Sequence, residues 1–166
     1  MRVLVLGALL VLGACIQPAQ AALVTFSATL DGAQSGTASL GTGVGTATLD
    51  DVTGVMTING TFTGLTGIAS NAHVHGLAAP GVSAGILVPL TFTAASSGTF
   101  SGMGTLTAPN IAGAIAGQTY INIHSTVAGG GEIRGQLLVS AVPEPSSAAL
   151  LGMALSLPAF IRRRRR

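Results

Sequence analysis

The middle of the chain alternates hydrophobic and polar residues with a period of two. In segment 24–31, valine, phenylalanine, alanine and leucine occupy every second position, while threonine, serine and aspartate occupy the others. Segments 55–62 and 119–124 alternate in a similar way. Because successive side chains of a strand point to opposite faces, this pattern predicts strands that turn one face towards a core. No stretch of the region shows convincing helical periodicity.

Short runs rich in threonine and valine, separated by glycine, predict about eight strands in the central region. Strands at this regular spacing favour an all-β fold, an antiparallel sandwich or barrel. Low charge and ample hydrophobicity argue against disorder. One helical turn is expected at 109–116. The predicted strands are 23–30, 43–50, 54–62, 69–75, 85–91, 98–107, 119–125 and 131–139.

The first 21 residues are typical of a secretory signal peptide. One arginine precedes a short apolar run, and small residues form an Ala-x-Ala site that ends at Ala21. The apolar run is too short for an ordinary membrane-spanning helix. We therefore expect signal peptidase to cleave after Ala21. The alternative is lipidation of Cys15, because the residues before it resemble a bacterial lipobox.

The last 25 residues, 142–166, combine three features in a characteristic order. A Val-Pro-Glu-Pro motif contains Pro143, Glu144 and Pro145, and it is followed by an apolar run and five arginines. This arrangement resembles the PEP-CTERM sorting signal of Gram-negative bacteria. The resemblance implies export, transient inner-membrane anchoring through a C-terminal hydrophobic helix, and processing by an exosortase-type enzyme. The destination would be the cell surface, the outer envelope or the extracellular matrix. The alternative is an ordinary stop-transfer anchor, with its arginines on the cytoplasmic side.

The domain between these two ends, residues 22–141, is poor in charge. It contains one arginine and four acidic residues, which give a net charge of −3 with neutral histidines. A nucleic-acid-binding protein needs a basic face, so the composition excludes that class of function. The abundant threonine and serine predict a neutral, hydroxyl-rich surface that suits contact with extracellular polysaccharide.

Three histidines are the main candidates for chemistry. Two of them, His73 and His75, are two positions apart, so in a strand they project from the same face with Cα atoms about 6.5–7 Å apart. Imidazole suits copper and zinc, and His124 supplies a third ligand. Structural hydrogen bonding inside a tightly turned β domain is the competing interpretation of all three. The single cysteine, Cys15, lies in the targeting segment, so the mature domain has no thiol ligand.

The same segments carry a family resemblance. The Ala-His-Val-His element at 72–75, the Tyr-x-Asn-x-His element at 120–124 and the Gly-Glu-Ile-Arg-Gly element at 131–135 resemble the CHRD domain, which occurs in chordin and in exported bacterial proteins. The resemblance spans 26–138. It implies an immunoglobulin-like β fold and no established enzymatic activity.

A fainter likeness links the segment around His73 and His75 to the copper-ligand strand of Cu/Zn superoxide dismutase, a Greek-key β protein. The chain has too few histidines for a two-metal dismutase site, so a mononuclear site with three histidines is what this likeness leaves open.

Glu132 and Arg134 lie next to the histidine motifs in sequence. Their spacing of two places both on one face of a strand, where they are expected to form a lateral ion pair. The functional alternative makes Glu132 a carboxylate partner that sets the tautomer of His124.

The sequence therefore supports two hypotheses for function. The first is a non-enzymatic, exported CHRD-domain protein without a cofactor, acting as a structural or binding module. This hypothesis agrees with the absence of the usual catalytic motifs from the sequence. The alternative is a metalloprotein that holds copper or zinc with His73, His75 and His124, supported by Glu132 and Arg134.

Overall fold

The structure is a computed structural model that describes residues 21–140. The predicted signal peptide with Cys15 and the predicted sorting segment with Pro143, Glu144 and Pro145 lie outside this range, apart from Ala21. Two short helices are described, α1 (Gly32–Ser35) and α2 (Ala108–Ile115). The described strands are β1 (Leu23–Asp31), β2 (Thr42–Asp50), β3 (Val55–Thr63), β4 (Ala69–Gly76), β5 (Ile86–Pro89), β6 (Thr91–Phe92), β7 (Gly98–Thr105), β8 (Thr119–Ser125), β9 (Ile133–Gln136) and β10 (Leu138–Val139).

All described strands belong to one antiparallel sheet that curls almost into a closed barrel. The strand order is β5-β4-β8-β9-β1-β2-β3-β7-β6, with β10 added beside β1. The two ends of this order, β5 and β6, are separated in sequence only by Leu90. Because β5 pairs with β4 and β6 pairs with β7, this short segment joins the two edges of the sheet. The predicted all-β antiparallel fold is therefore confirmed.

The interior of the barrel follows the alternation seen in the sequence. In β1, Val24, Phe26, Ala28 and Leu30 are buried, as predicted. Burying a side chain of the size of leucine or phenylalanine contributes about 1.5–3 kcal/mol. The other large side chains in the core are Leu49, Met56, Ile58, Phe62, Leu65, Val74, Val88, Leu90, Phe100, Leu106, Ile121, Ile123, Ile133 and Leu137.

Two predicted strands are split in the structure. The expected strand 85–91 breaks at Leu90, whose backbone N–H donates to the Ala72 carbonyl at 3.0 Å while the chain passes from one edge of the sheet to the other. The expected strand 131–139 starts later, at Ile133, and breaks at Leu137, where pairing with β8 ends while pairing with β1 continues. Alternation alone does not reveal a change of partner.

Helix α1 was not predicted, and its ends explain why it forms. The Asp31 carboxylate accepts a hydrogen bond of 2.7 Å from the Gln34 N–H, which caps the helix start. Gly36 ends the helix with a φ of 73°. The Asp-x-x-Gln spacing is a capping signal that the sequence analysis missed. The predicted turn at 109–116 is confirmed as the two-turn helix α2. None of the helices described in 21–140 combines the length and the hydropathy needed to cross a membrane.

The outer surface of the barrel has two different faces. Over β1, β2, β3 and β7 it is open to solvent and carries mostly threonine and serine. Over β4, β8 and β9 it is covered by the loops 77–85 and 126–131. Strand β8 is consequently buried on both faces, with Ile121 and Ile123 in the core and Tyr120 and Asn122 under the loops. We call the side under the loops the covered face.

Candidate metal centre

Strand register brings the three histidines together on the covered face. In the β4–β8 pair, His75 lies opposite Tyr120, His73 opposite Asn122, and Asn71 opposite His124. Since side chains two apart share a face, His73 and His75 stand in one row and His124 joins them diagonally from the next strand. The intervening side chains, such as Val74, enter the core. The structure thus places the predicted ligands in a single cluster.

The nitrogen atoms of the cluster are spaced for a metal ion. One ligand atom from each histidine lies within 4.8 Å of the other two. His73 Nδ1 and His124 Nε2 are 3.3 Å apart, which equals the separation of about 3.3 Å expected for two ligands at tetrahedral angles with metal–nitrogen bonds of 2.0–2.1 Å. Atoms no farther apart than 4.8 Å lie within about 2.8 Å of a common centre, so shifts of less than about 1 Å would complete three bonds.

Backbone carbonyls fix the orientation and tautomer of two of the rings. His75 Nδ1 lies 2.9 Å from the Ala84 carbonyl oxygen, and His124 Nδ1 lies 2.8 Å from the Gly129 carbonyl oxygen. A carbonyl only accepts, so each Nδ1 carries the hydrogen and each Nε2 keeps a lone pair in the neutral ring. Metal-binding histidines are held by their other ring nitrogen in this way.

The Nε2 atom of His75 has no hydrogen-bond partner although it is buried. A buried polar group without a partner costs about 1–3 kcal/mol, so native proteins rarely keep one without a reason. His75 is 8% exposed, as is His73, whereas His124 is only half-buried. The cluster is therefore enclosed on the β4 side and reachable from solvent beside His124.

Burial and mutual repulsion favour the neutral form of His73 and His75. Burial lowers the pKa of His73, and the neighbouring His124 and His75 lower it further. Burial also lowers the pKa of His75, and the charges of His124 and Arg134 add to this effect against the opposing hydrogen bond to Ala84. Neutral imidazole is the form that binds a metal ion, so the lowered pKa values of His73 and His75 favour metal binding.

Tyr120 connects the cluster to Arg134. The rings of His75 and Tyr120 stack with their centroids 5.1 Å apart and their planes within 7°. The Arg134 guanidinium carbon lies 4.5 Å from the Tyr120 ring centroid, a cation–π distance. The Tyr120 hydroxyl accepts a hydrogen bond of 3.0 Å from the Ala84 N–H, and Arg134 Nη1 donates one of 2.9 Å to the Val82 carbonyl.

Comparison with known proteins supports one family. The sequence-family model of the CHRD domain matches residues 26–137, which include β2 to β9 and all three histidines. The chain belongs to the CHRD-domain family. The resemblance to the CHRD domain that the sequence motifs carry is thereby confirmed. No curated protein and no solved structure matches the chain.

In this CHRD domain Glu132 lies apart from both of its expected partners. Its carboxylate accepts hydrogen bonds from the Ser39 hydroxyl at 2.6 Å and from the backbone N–H groups of Thr66 and Gly67 at 2.5 and 3.3 Å. The expected pairing with Arg134 and the alternative pairing with His124 are both absent from the described residues, because the hydrogen bonds of those side chains go to loop carbonyls. The start of β9 at Ile133 interrupts the alternation on which the expectation depended.

The surroundings of Glu132 keep it charged. Burial raises the pKa of Glu132, but hydrogen bonds from Ser125, Ser39, Thr66 and Gly67 outweigh burial and bring the pKa to about 2. The carboxylate therefore joins the start of β9 to the segments around residues 39 and 66 of the CHRD domain. Its role lies in the fold near the cluster and not in contact with the histidines.

Three further side chains of the covered face, which the sequence motifs did not single out as site residues, are Tyr120, Asn122 and Gln136. Tyr120 and Asn122 alternate with the core residues of β8 in register with the histidines, and Gln136 lies opposite Tyr120 in β9. Period two, counted back from His124, is the signal that could have identified Tyr120 and Asn122 as neighbours of the site. What they bind depends on loop backbone, which no sequence pattern specifies.

Proposed function

We propose that the chain is an exported CHRD-domain binding module that captures a copper or zinc ion with His73, His75 and His124. One observation carries the proposal: three ligand atoms from two strands lie within 4.8 Å of one another. Imidazole nitrogens suit zinc and copper, and among the described residues the cluster includes no carboxylate, the ligand type that suits magnesium, calcium and manganese. A single site of this kind leaves a coordination position for water or another ligand.

The details of the cluster favour a metal site over purely structural hydrogen bonding. A structural histidine buried in a β domain satisfies both ring nitrogens, whereas His75 leaves its inward nitrogen without a partner. His73 and His124 share one contact of 3.3 Å, which is at the long end for a hydrogen bond. A metal ion at the centre would satisfy all three nitrogens at once.

Metal loading tests this proposal. The full chain, purified in detergent and freed of metal with a chelator, is incubated with Zn(II) or Cu(II), separated from excess ion and analysed by inductively coupled plasma mass spectrometry. We expect about one ion per chain for the wild type and at least about a 100-fold loss of affinity for His73→Ala, since a direct ligand matters more than the 10–100-fold of an outer partner.

Asn59→Ala is the matched control for this experiment, because Asn59 lies exposed on β3, outside the cluster. It should bind as the wild type does. Equal uptake by His73→Ala and the wild type, or no uptake by either, would overturn the metal proposal and leave hydrogen bonding as the role of the histidines.

We also propose that the domain is sorted to the cell surface, the outer envelope or the extracellular matrix. Support comes from the signal-peptide pattern that ends at Ala21 and from the Val-Pro-Glu-Pro, apolar and arginine features of 142–166. Signal peptidase and an exosortase-type enzyme would be the processing partners, with the inner membrane as a transient anchor. The neutral hydroxyl-rich face over β1, β2, β3 and β7 suits contact with extracellular polysaccharide.

Fractionation of a Gram-negative host that has an exosortase tests the sorting proposal. We expect the wild type in the envelope or medium without residues 1–21. A variant with Pro143→Ala, Glu144→Ala and Pro145→Ala should accumulate in the inner membrane, because it keeps the apolar segment but loses the processing motif. Recovery of the untrimmed wild type from the cytosol would contradict the proposal.

A further inference from the structure

The two loops over the covered face have little packing of their own. Loop 77–85 reads Leu-Ala-Ala-Pro-Gly-Val-Ser-Ala-Gly, and loop 126–131 reads Thr-Val-Ala-Gly-Gly-Gly. Their larger apolar side chains, Leu77, Val82 and Val127, are 40%, 54% and 63% exposed. Hydrophobic burial therefore contributes little to holding either loop in place.

Polar side chains from the sheet hold loop 77–85 by its backbone. His75 binds the Ala84 carbonyl, and the Tyr120 hydroxyl accepts from the Ala84 N–H. Two side chains of β9 make further hydrogen bonds to the loop backbone, beside the backbone hydrogen bond from the Ala78 N–H to the Gln118 carbonyl. Arg134 Nη1 donates to the Val82 carbonyl, and Gln136 Nε2 donates to the Ala78 carbonyl at 3.0 Å.

Loop 126–131 is held in the same manner from the neighbouring part of the face. His124 donates to the Gly129 carbonyl, and Asn122 Nδ2 donates to the Gly130 carbonyl at 3.2 Å. The Ser35 hydroxyl donates to the Gly131 carbonyl at 2.8 Å. Each loop thus has one backbone carbonyl bound by the Nδ1 of a histidine of the cluster, among its other hydrogen bonds.

We propose that the bound ion acts as a clasp that joins the two loops, and that Gln136 is a positioning residue for the metal site. This inference rests on the proposed metal binding. An ion bonded to the inward nitrogens of His75 and His124 ties the two rings together, and each ring carries a loop carbonyl on its other nitrogen. Opening of either loop then removes the hydrogen bond that orients a ligand.

The coupling is reciprocal by thermodynamic linkage. If metal binding favours the closed loops, contacts that favour the closed loops strengthen metal binding by the same factor. Gln136 suits a test of whether loop contacts strengthen metal binding, because it is uncharged. Its Nε2 donates to the Ala78 carbonyl of loop 77–85 and to the Gly117 carbonyl outside that loop. Replacing Arg134 would instead remove a positive charge beside the cation and confuse the two effects.

Hydrogen exchange followed by mass spectrometry tests whether metal binding favours the closed loops. We expect saturating Zn(II) to slow amide exchange about tenfold in both 77–85 and 126–131 of the full chain. Exchange in peptides from β3, which lies outside the covered face, should stay unchanged. His73→Ala is the informative variant, because among the described contacts the His73 ring bonds only His124 and touches neither loop. Its metal-free exchange should equal that of the wild type, and zinc should have no effect on it.

Zinc titration of Gln136→Met tests whether a contact that favours the closed loops strengthens metal binding. We expect an affinity about tenfold weaker than that of the wild type, at the lower end of the 10–100-fold range for outer partners of metal ligands. Asn59→Ala again serves as the control, and circular dichroism verifies that Gln136→Met is folded. Wild-type zinc affinity of folded Gln136→Met would overturn the positioning role of Gln136. Should this variant fail to fold, unchanged exchange in loop 77–85 of the zinc-loaded wild type would overturn the coupling on which that role depends.

The possible outcomes separate this inference from the metal proposal. Absence of zinc binding by the wild type contradicts the metal proposal itself. Stoichiometric binding that needs His73 but leaves exchange in both loops unchanged overturns the clasp and keeps the metal site. Protection of only one loop also overturns the clasp, because the ion would then not connect the two.

Discussion

Replacing Glu132 with glutamine should lower the free energy of unfolding at pH 7 by about 3 kcal/mol, because the pKa of this carboxyl is about 2 in the folded chain against an ordinary 4.5 and each pKa unit corresponds to about 1.4 kcal/mol. The glutamine amide cannot offer two charged oxygens to the Ser39 hydroxyl and the Thr66 and Gly67 N–H groups. Chemical denaturation at a series of pH values measures the difference.

The sign of the pH dependence follows from the lowered pKa. The stabilisation is fully present above the ordinary pKa of 4.5 and is lost as the pH falls towards the folded-state pKa of about 2. The stability curves of the wild type and of Glu132→Gln should therefore converge near pH 2. Asp51→Asn, in an exposed turn, is the control and should change stability by less than about 0.5 kcal/mol. Parallel curves for wild type and Glu132→Gln would contradict the role given to Glu132.

Replacing Gly60 with alanine should destabilise the barrel by about 3 kcal/mol, the upper part of the usual range for overpacking. Gly60 lies opposite Gly45 on one side and Phe100 on the other, and the Phe100 ring fills the space left by the two glycines. A methyl group at Gly60 would overlap both this ring and the Val44 carbonyl. Thermal or chemical unfolding at neutral pH measures the loss.

Gly85→Ala is the matched control for the packing argument. A methyl group at Gly85 meets nothing within 4 Å, so the same change should stay within about 0.5 kcal/mol of the wild type. A similar effect of both substitutions would show that backbone entropy, and not the space below Phe100, determines the cost.

Much of the fold was predictable because local patterning and tertiary burial agree. The alternation in β1 and β3 identified their buried positions correctly, since both strands have one face in the core and one in solvent. The splits at Leu90 and Leu137 were not predictable from alternation. At Leu90 the chain changes its partner from β4 to β7, and at Leu137 it loses β8 while it keeps β1. A change of partner depends on the closure of the whole barrel.

For the site, the spacing of His73 and His75 predicted that both side chains share one face of a strand, and in the structure their rings lie side by side on the covered face. The position of His124 beside them follows from the β4–β8 register, which the two sequence segments do not specify. The expectation for Glu132 failed because period two was extended from Arg134 back to Glu132, which precedes the first residue of β9, Ile133. The contacts of Tyr120, Asn122 and Gln136 escaped prediction because their partners are backbone groups of irregular loops.

X-ray absorption spectroscopy of the metal-loaded chain tests the central claim most directly. The account predicts a first shell that contains three nitrogen neighbours at about 2.0–2.1 Å with the outer-shell signature of imidazole rings, and the loss of one imidazole or of the ion in His73→Ala. A spectrum without imidazole neighbours, or one that is identical in the wild type and in His73→Ala, would contradict it.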